Sequence, residues 1–303
     1  FEEIATADGL YARTLNGDAY SAEMKEQTIE TIKKDLGQVD MVIYSIAAPR
    51  RTAPDGVTYK SVLKTTGESY TNRTIDLRNN QLMEATIEPA TDEEIRNTIK
   101  VMGGEDWILW IKALKEAGVL ADGAKTVAYS YIGPELTYPI YKEGSIGQAK
   151  KDLYASADKI QAEIDGVEAY VSVNKAVVTQ SSAAIPIVPL YLAILFKVMK
   201  EQKVQEGCIE QMYRMIHDRL CNGGAVVTDE NRLIRMDDWE MEPKVQEAVA
   251  EIWQKIDQDN LEDVTDLDGY WQEFYEIFGF RINGVDYGAD VDADVQIPSI
   301  AAE

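Results

Sequence analysis

Tyr131, Tyr141 and Lys150 lie in one stretch, Thr126 to Lys151, that also holds Gly133, Gly144, Ser145 and Gly147. Tyrosine hydroxyls and an ammonium suit a reaction that builds negative charge on an oxygen. A phenol can donate to a carbonyl oxygen, or protonate it, as electrons move onto it, and a fixed cation nearby favours the phenolate. Tyr141 and Lys150 are nine residues apart. At about 3.6 residues per turn this is about two and a half turns, so on one helix the two would face opposite ways. They can cooperate only if Tyr141 precedes the helix that carries Lys150. Gly144, Ser145 and Gly147 supply a loop-to-helix junction there, with Ser145 as the expected N-cap. The same residues also fit a purely structural role, with Tyr129, Tyr131, Tyr138 and Tyr141 as half-buried aromatics and Lys150 solvated on a helix.

The surrounding elements must place these groups. A helix entered at Ser145 puts Ile146, Ala149, Leu153, Ala157, Ile160 and Ile164 at steps of three and four, a core-facing stripe. Val39 to Ser45 is an apolar, β-branched run that suits a strand buried on both faces of a parallel sheet, and it ends in the small residues Ala47 and Ala48. Thr126 to Ser130 and Ala169 to Val178 read as further strands, the second leading into a hydroxylated loop, Thr179 to Pro186. Helical segments separate the three, which describes βα units whose loops open on one edge of a parallel sheet. Leu10 to Leu15 is a short strand candidate. Ser21 caps a helix with Met24, Thr28, Ile32 and Leu36 on one face, and Thr91 with Glu94 forms a capping box opening another. Beyond Leu190 the chain turns helical, interrupted by an expected hairpin around Val226 to Met236. The acidic tail from Asp286 reads as a surface strand.

A net charge of −23 over 303 residues argues against nucleic acid and against anionic membrane surfaces. The longest apolar run, 183–196, has fourteen residues and contains Pro186 and Pro189, too short to span a bilayer. Cys208 and Cys221 imply no disulfide framework, and with His217 they match no zinc spacing, so no metal is expected. No G-x-G-x-x-G follows a first strand.

In its motifs the chain resembles the trans-2-enoyl-CoA reductases and the related FabV-type enoyl-acyl-carrier-protein reductases, relatives of the short-chain dehydrogenases. The resemblance rests on Tyr44-Ser-Ile-Ala-Ala-Pro-Arg50, Val101-Met-Gly-Gly-Glu-Asp-Trp107, Ala128-Tyr-Ser-Tyr-Ile-Gly-Pro134, the Tyr141-x8-Lys150 pair, Val177-Val-Thr179 with Ile185-Pro186, and Gly284-Val-Asp-Tyr287. The eight-residue spacer separates this family from relatives with shorter ones. The resemblance implies an NADH-dependent reduction of the C2=C3 bond of a fatty enoyl thioester of CoA or acyl carrier protein. Tyr141 would stabilise or protonate the enolate, Lys150 would hold the nicotinamide ribose, and Tyr131 would contact the thioester carbonyl. Ser45, Ile46, Ala47 and Ala48 would line the cofactor, Asp18 and Ala19 would meet its adenine, and Val178 and Thr179 would reach the nicotinamide. Ser181, Ser182, Ile185 and Pro186, with Thr179, would form the substrate loop.

The expected fold is α/β: residues 1–190 a Rossmann-like parallel sheet flanked by helices, residues 191–303 a helical C-terminal extension. Family members carry a preceding segment with a Gly-rich pyrophosphate loop, so the chain is expected to be a truncated, cleaved or incompletely described form, and loss of that segment would abolish cofactor binding. A carbonyl-reducing short-chain dehydrogenase and an inactive fragment are the alternatives. A monomer in the cytoplasm is expected, or in an organelle if the source is eukaryotic, with no nucleic-acid partner and no transmembrane segment.

Overall fold

A computed structural model of the chain describes residues 1–292 and 294–301. It begins with α1 (Glu2–Ala7), α2 (Ala22–Asp35), β1 (Val39–Tyr44), β2 (Arg50–Thr52), β3 (Thr58–Lys60), β4 (Tyr70–Asp76) and β5 (Gln81–Ile87). Then come α3 (Asp92–Met102), α4 (Glu105–Glu116), β6 (Leu120–Ser130), α5 (Ser145–Glu163) and β7 (Val167–Val173). The remainder holds α6 (Gln180–Ala183), α7 (Val188–Glu201), α8 (Cys208–Arg214), β8 (Leu233–Arg235), α9 (Pro243–Lys255), α10 (Leu261–Val264), α11 (Leu267–Glu276) and α12 (Pro298–Ala301).

The central sheet has the order β1-β6-β7-β8, and every neighbouring pair is parallel. All four carboxyl ends therefore lie on one edge, as expected for a Rossmann-like α/β fold. Helices α3 and α4 pack on α5, and α5 packs on β7. The stripe read on α5 is its core face, with Ala149 and Ile160 fully buried and Leu153 nearly so. Each such Leu or Ile side chain contributes about 1.5–3 kcal/mol by leaving water. Thr91 and Glu94 form both bonds of the expected capping box on α3, and Ser21 Oγ accepts from Met24 N at the start of α2.

Four expectations change. Among the described residues β1 is only part-buried rather than buried on both faces, and Ile43 is 37% exposed. Leu10 to Leu15 forms no strand. The segment 226–236 is not a hairpin; it contributes the single strand β8, pairing Leu233 with Val171 in parallel. The described tail residues from Asp286 hold the short helix α12 and no strand, and Ser299 N donates to Glu2 Oε2 at 3.0 Å. Ala293, Ala302 and Glu303 of that tail lie outside the described residues.

Helix α7 is apolar on all sides because it is a core helix: Leu190 through Phe196 are completely buried. Among the described residues no helix is long and apolar enough to cross a membrane. A second buried feature fixes the end of β1. Asp106, in the first turn of α4, accepts from Lys25 Nζ of α2 at 2.9 Å and from the Tyr44 hydroxyl at 3.1 Å. Removing one partner of such a buried network costs about 3–5 kcal/mol, so three elements are held together where the Ser45 loop begins.

Candidate active site

A cavity of about 580 Å³ opens at the carboxyl edge of the sheet. The end of β1 contributes Tyr44, Ser45, Ile46, Ala47 and Ala48; the end of β6 contributes Tyr129, Ser130 and Tyr131; the end of β7 contributes Asn174, Lys175 and Ala176. Helix α5 adds Lys150, the loop before it adds Tyr141, and the loop after β7 adds Thr179, Ser181, Ser182 and Ile185. The three loops read from sequence thus converge, as a parallel sheet requires.

Tyr141 does precede the helix. Its N–H donates to Thr137 O at 2.9 Å in a tight turn, and α5 starts at Ser145. The N-cap, however, is Gly144. The Ser145 hydroxyl instead donates to Val62 O at 2.6 Å and accepts from Lys64 N at 3.1 Å, pinning the 62–64 segment to the helix start. Glycine is required around this turn for space. A Cβ on Gly147 would collide with the carbonyl oxygens of Tyr141 and Lys142, and one on Gly144 would stand 2.6 Å from Ile140 O.

The Tyr131 and Tyr141 rings meet edge to face, centroids 5.0 Å apart at 86°, an arrangement the ring quadrupoles favour. Lys150 Nζ donates to Tyr129 O at 3.1 Å. That is its one hydrogen bond among the described residues, so its other N–H groups are free for a ligand. Burial pushes its ammonium down to about 8. Burial also raises the Tyr141 phenol, opposite to the pull expected from a neighbouring ammonium.

Two charged side chains at this site were not foreseen. Lys175, 1% exposed, donates to Ala176 O at 2.8 Å and faces the Phe196 ring at 5.4 Å. Its position as the one charge within the apolar run Ala169 to Val178 was the available signal. Glu240, completely buried, accepts from the Tyr131 hydroxyl at 3.0 Å, the Tyr191 hydroxyl at 2.6 Å and Ala176 N at 2.7 Å. Burial raises its carboxyl, and those donors together with the Lys175 charge oppose the rise.

Four expected site residues stand off the cavity wall. Asp18 Oδ1 accepts from Tyr20 N at 3.0 Å, and Ala19 O accepts from Trp110 Nε1 at 3.0 Å, both beside the start of α2. Val178 is buried in the core with α7, and Pro186 is half-buried just before that helix. Thr179 and Ser182 cap α6 reciprocally, Ser182 N donating to Thr179 Oγ1 at 2.9 Å and Thr179 N to Ser182 Oγ at 2.8 Å. Ile187, next in the loop, has φ +75, a conformation costly for a β-branched residue. Complete burial and its N–H bond to Thr74 Oγ1, 3.1 Å, hold it there.

Residues 1–221 match the family model described as the trans-2-enoyl-CoA reductase catalytic region, and residues 228–291 match one described as an enoyl reductase FAD binding domain. A trans-2-enoyl-CoA reductase [NADH] of Ruminiclostridium cellulolyticum is 54% identical over 99% of this chain and 76% of its own length. An enoyl-[acyl-carrier-protein] reductase [NADH] of Cytophaga hutchinsonii is 52% identical over the same shares, 99% and 76%. The crystal structure of Treponema denticola trans-2-enoyl-CoA reductase in complex with NAD superposes with a TM-score of 0.93 at 49% identity, covering 95% of this chain and 73% of that one. With the sheet, the cavity and these matches in agreement, the chain belongs to the trans-2-enoyl-CoA reductase family.

Proposed function

We propose that the chain catalyses NADH-dependent reduction of the C2=C3 double bond of trans-2-enoyl thioesters in fatty acid synthesis. The observation that carries this reading is the convergence of two tyrosine hydroxyls and a half-buried lysine on one cavity at the carboxyl edge of a parallel sheet. The residues present fit a nicotinamide cofactor. The small side chains of Ser45, Ala47 and Ala48 leave room beside the backbone, and the Lys150 ammonium has unused donors for ribose hydroxyls. Ile46 and Thr179, both on the cavity wall, complete that contact, while Asp18 and Ala19, off the wall beside the start of α2, lie toward the adenine. When bound, NADH supplies the hydride that C3 receives.

The chain's own residues handle the charge that hydride delivery creates. Electrons shift onto the thioester oxygen, and the Tyr141 hydroxyl donates to that oxygen or protonates it. Tyr141 makes no hydrogen bond through its hydroxyl among the described residues, so the proton is available to substrate. Lys150 keeps positive charge near the developing enolate. Tyr131, edge-to-face against Tyr141, donates its one hydroxyl proton to Glu240 in the free chain and turns it to the carbonyl when substrate binds, and Ser181, Ser182 and Ile185 shape the acyl site.

No described residue of 228–291 borders the 580 Å³ cavity. The hollow that strand β8 lines, between Tyr154, Asp158 and Arg232, holds about 40 Å³, room for a few waters and too small for a flavin. The segment instead supplies β8, Glu240 and the helices around α7.

The net charge of −23 disfavours an acidic carrier protein, which favours CoA as carrier. We also read the chain as a monomeric cytoplasmic enzyme; its two cysteines, both free and exposed, suit a reducing compartment. Crotonyl-CoA should drive oxidation of NADH, with a higher kcat/KM than the crotonyl thioester of a carrier protein. Turnover of a ketone but not of any enoyl thioester would overturn the proposal.

A further inference from the structure

We propose that Glu240 is a positioning residue for enoyl reduction, holding the Tyr131 hydroxyl at the cavity wall by bridging three elements. This rests on the reading of Tyr131 as the second group on the thioester carbonyl. Glu240 comes from the segment after β8 and is completely buried, yet it makes no ion pair within 4 Å among the described residues. Among the described residues its carboxylate bonds to Tyr131 and Ala176 of the cavity wall and to Tyr191 of α7. Oε1 takes the hydroxyls of Tyr131, at the end of β6, and Tyr191, on α7, at 3.0 and 2.6 Å. Oε2 takes the amide of Ala176, past the end of β7, at 2.7 Å. Gln246 Nε2 braces the arrangement, donating to Glu240 O at 2.7 Å and to the Tyr191 hydroxyl at 3.2 Å. A fully buried carboxyl spent on neutral partners is costly unless it specifies a geometry.

The bond pattern separates reach from charge. In Glu240→Gln the Ala176 amide requires the side-chain oxygen, so the NH2 group faces the two tyrosines. Its two hydrogens can hold both phenol oxygens in place, leaving the Tyr131 proton free to point into the cavity. Glu240→Asp keeps the charge but is one methylene shorter and cannot span Ala176 and both tyrosines.

With crotonyl-CoA as substrate, Glu240→Asp is expected to lose about 10- to 100-fold in kcat with the KM for NADH little changed, since misplacement by about 1 Å can cost 10²-fold. Glu240→Gln should recover about tenfold or more of that loss. In a Tyr131→Phe background the Glu240→Asp change should cost about twofold or less, because its effect runs through Tyr131. Cooperative melting of each variant confirms that folded protein is compared. Equal losses in Asp and Gln variants, or an undiminished Asp effect without the Tyr131 hydroxyl, would overturn the role of Glu240. A wild-type chain that binds NADH yet turns over no enoyl thioester would instead refute the enoyl-reductase reading beneath it.

Discussion

Tyr141→Phe is expected to lower kcat with crotonyl-CoA by about 10²–10⁴-fold, the range for removing a general acid, while the KM for NADH changes little. The substitution removes one oxygen and leaves the ring packed against Tyr131, whose centroid lies 5.0 Å away. Stability should barely move, because no hydrogen bond to protein is lost through that hydroxyl among the described residues. Burial holds the phenol protonated well above neutral pH, so the group that meets the substrate is a neutral donor throughout the working range. Full activity in Tyr141→Phe would remove Tyr141 from the mechanism, and a parallel drop in melting temperature would recast it as structural. Steady-state kinetics beside a thermal melt distinguishes the two.

The second large effect concerns Lys150. Replacement by methionine keeps the length of the side chain and removes the charge, and should cost about 10²–10³-fold in kcat/KM, the scale for losing one preorganised electrostatic donor. The KM for NADH should rise with it, since the same ammonium is proposed to bind the ribose. The wild-type protein carries a matching pH signature. Burial lowers the Lys150 ammonium from about 10.5 to about 8, so kcat/KM should fall as pH rises through about 8 and the cation is lost. The contribution to stability has the opposite sign. Folding penalises the charged form fully below about 8; above that the folded chain's lysine has given up a proton the unfolded chain still holds, so the penalty fades as pH rises toward about 10.5. Activity that falls while this contribution to stability rises is diagnostic of a buried functional lysine. A pH profile of kcat/KM that stays flat through this window would contradict the role, as would an unchanged profile in Lys150→Met.

Local arithmetic made the centre of the site legible. The nine-residue separation forced Tyr141 out of the helix, and the Ile146 to Ile164 periodicity defined the helix that carries Lys150. The three small-residue and hydroxylated loops were readable because a parallel sheet gathers strand ends on one edge. What escaped depended on distant partners. Gly144 rather than Ser145 caps α5 because Val62 and Lys64 claim the Ser145 hydroxyl from over eighty residues away. Glu240 reaches Tyr131 across 109 residues and Ala176 across 64, and nothing in the local sequence around it marks a buried carboxylate. The segment 226–236 carries turn residues that suggest a hairpin, yet its apolar Leu233 and Ile234 pair with β7 instead. β1 has the composition of a strand buried on both faces, and among the described residues it pairs with β6 and is only part-buried, with Ile43 37% exposed.

In the proposed reaction C3 of an enoyl thioester receives hydride in this cavity while the chain's hydroxyls manage charge on the thioester oxygen. The most direct measurement is the fate of label from NADH carrying deuterium at the reactive C4 position, in turnover of crotonyl-CoA. Butyryl-CoA with deuterium at C3 and a solvent-derived proton at C2 is expected. Deuterium at C2 or at the carbonyl carbon, or turnover of crotonyl-CoA that leaves the label in the nicotinamide, would contradict it.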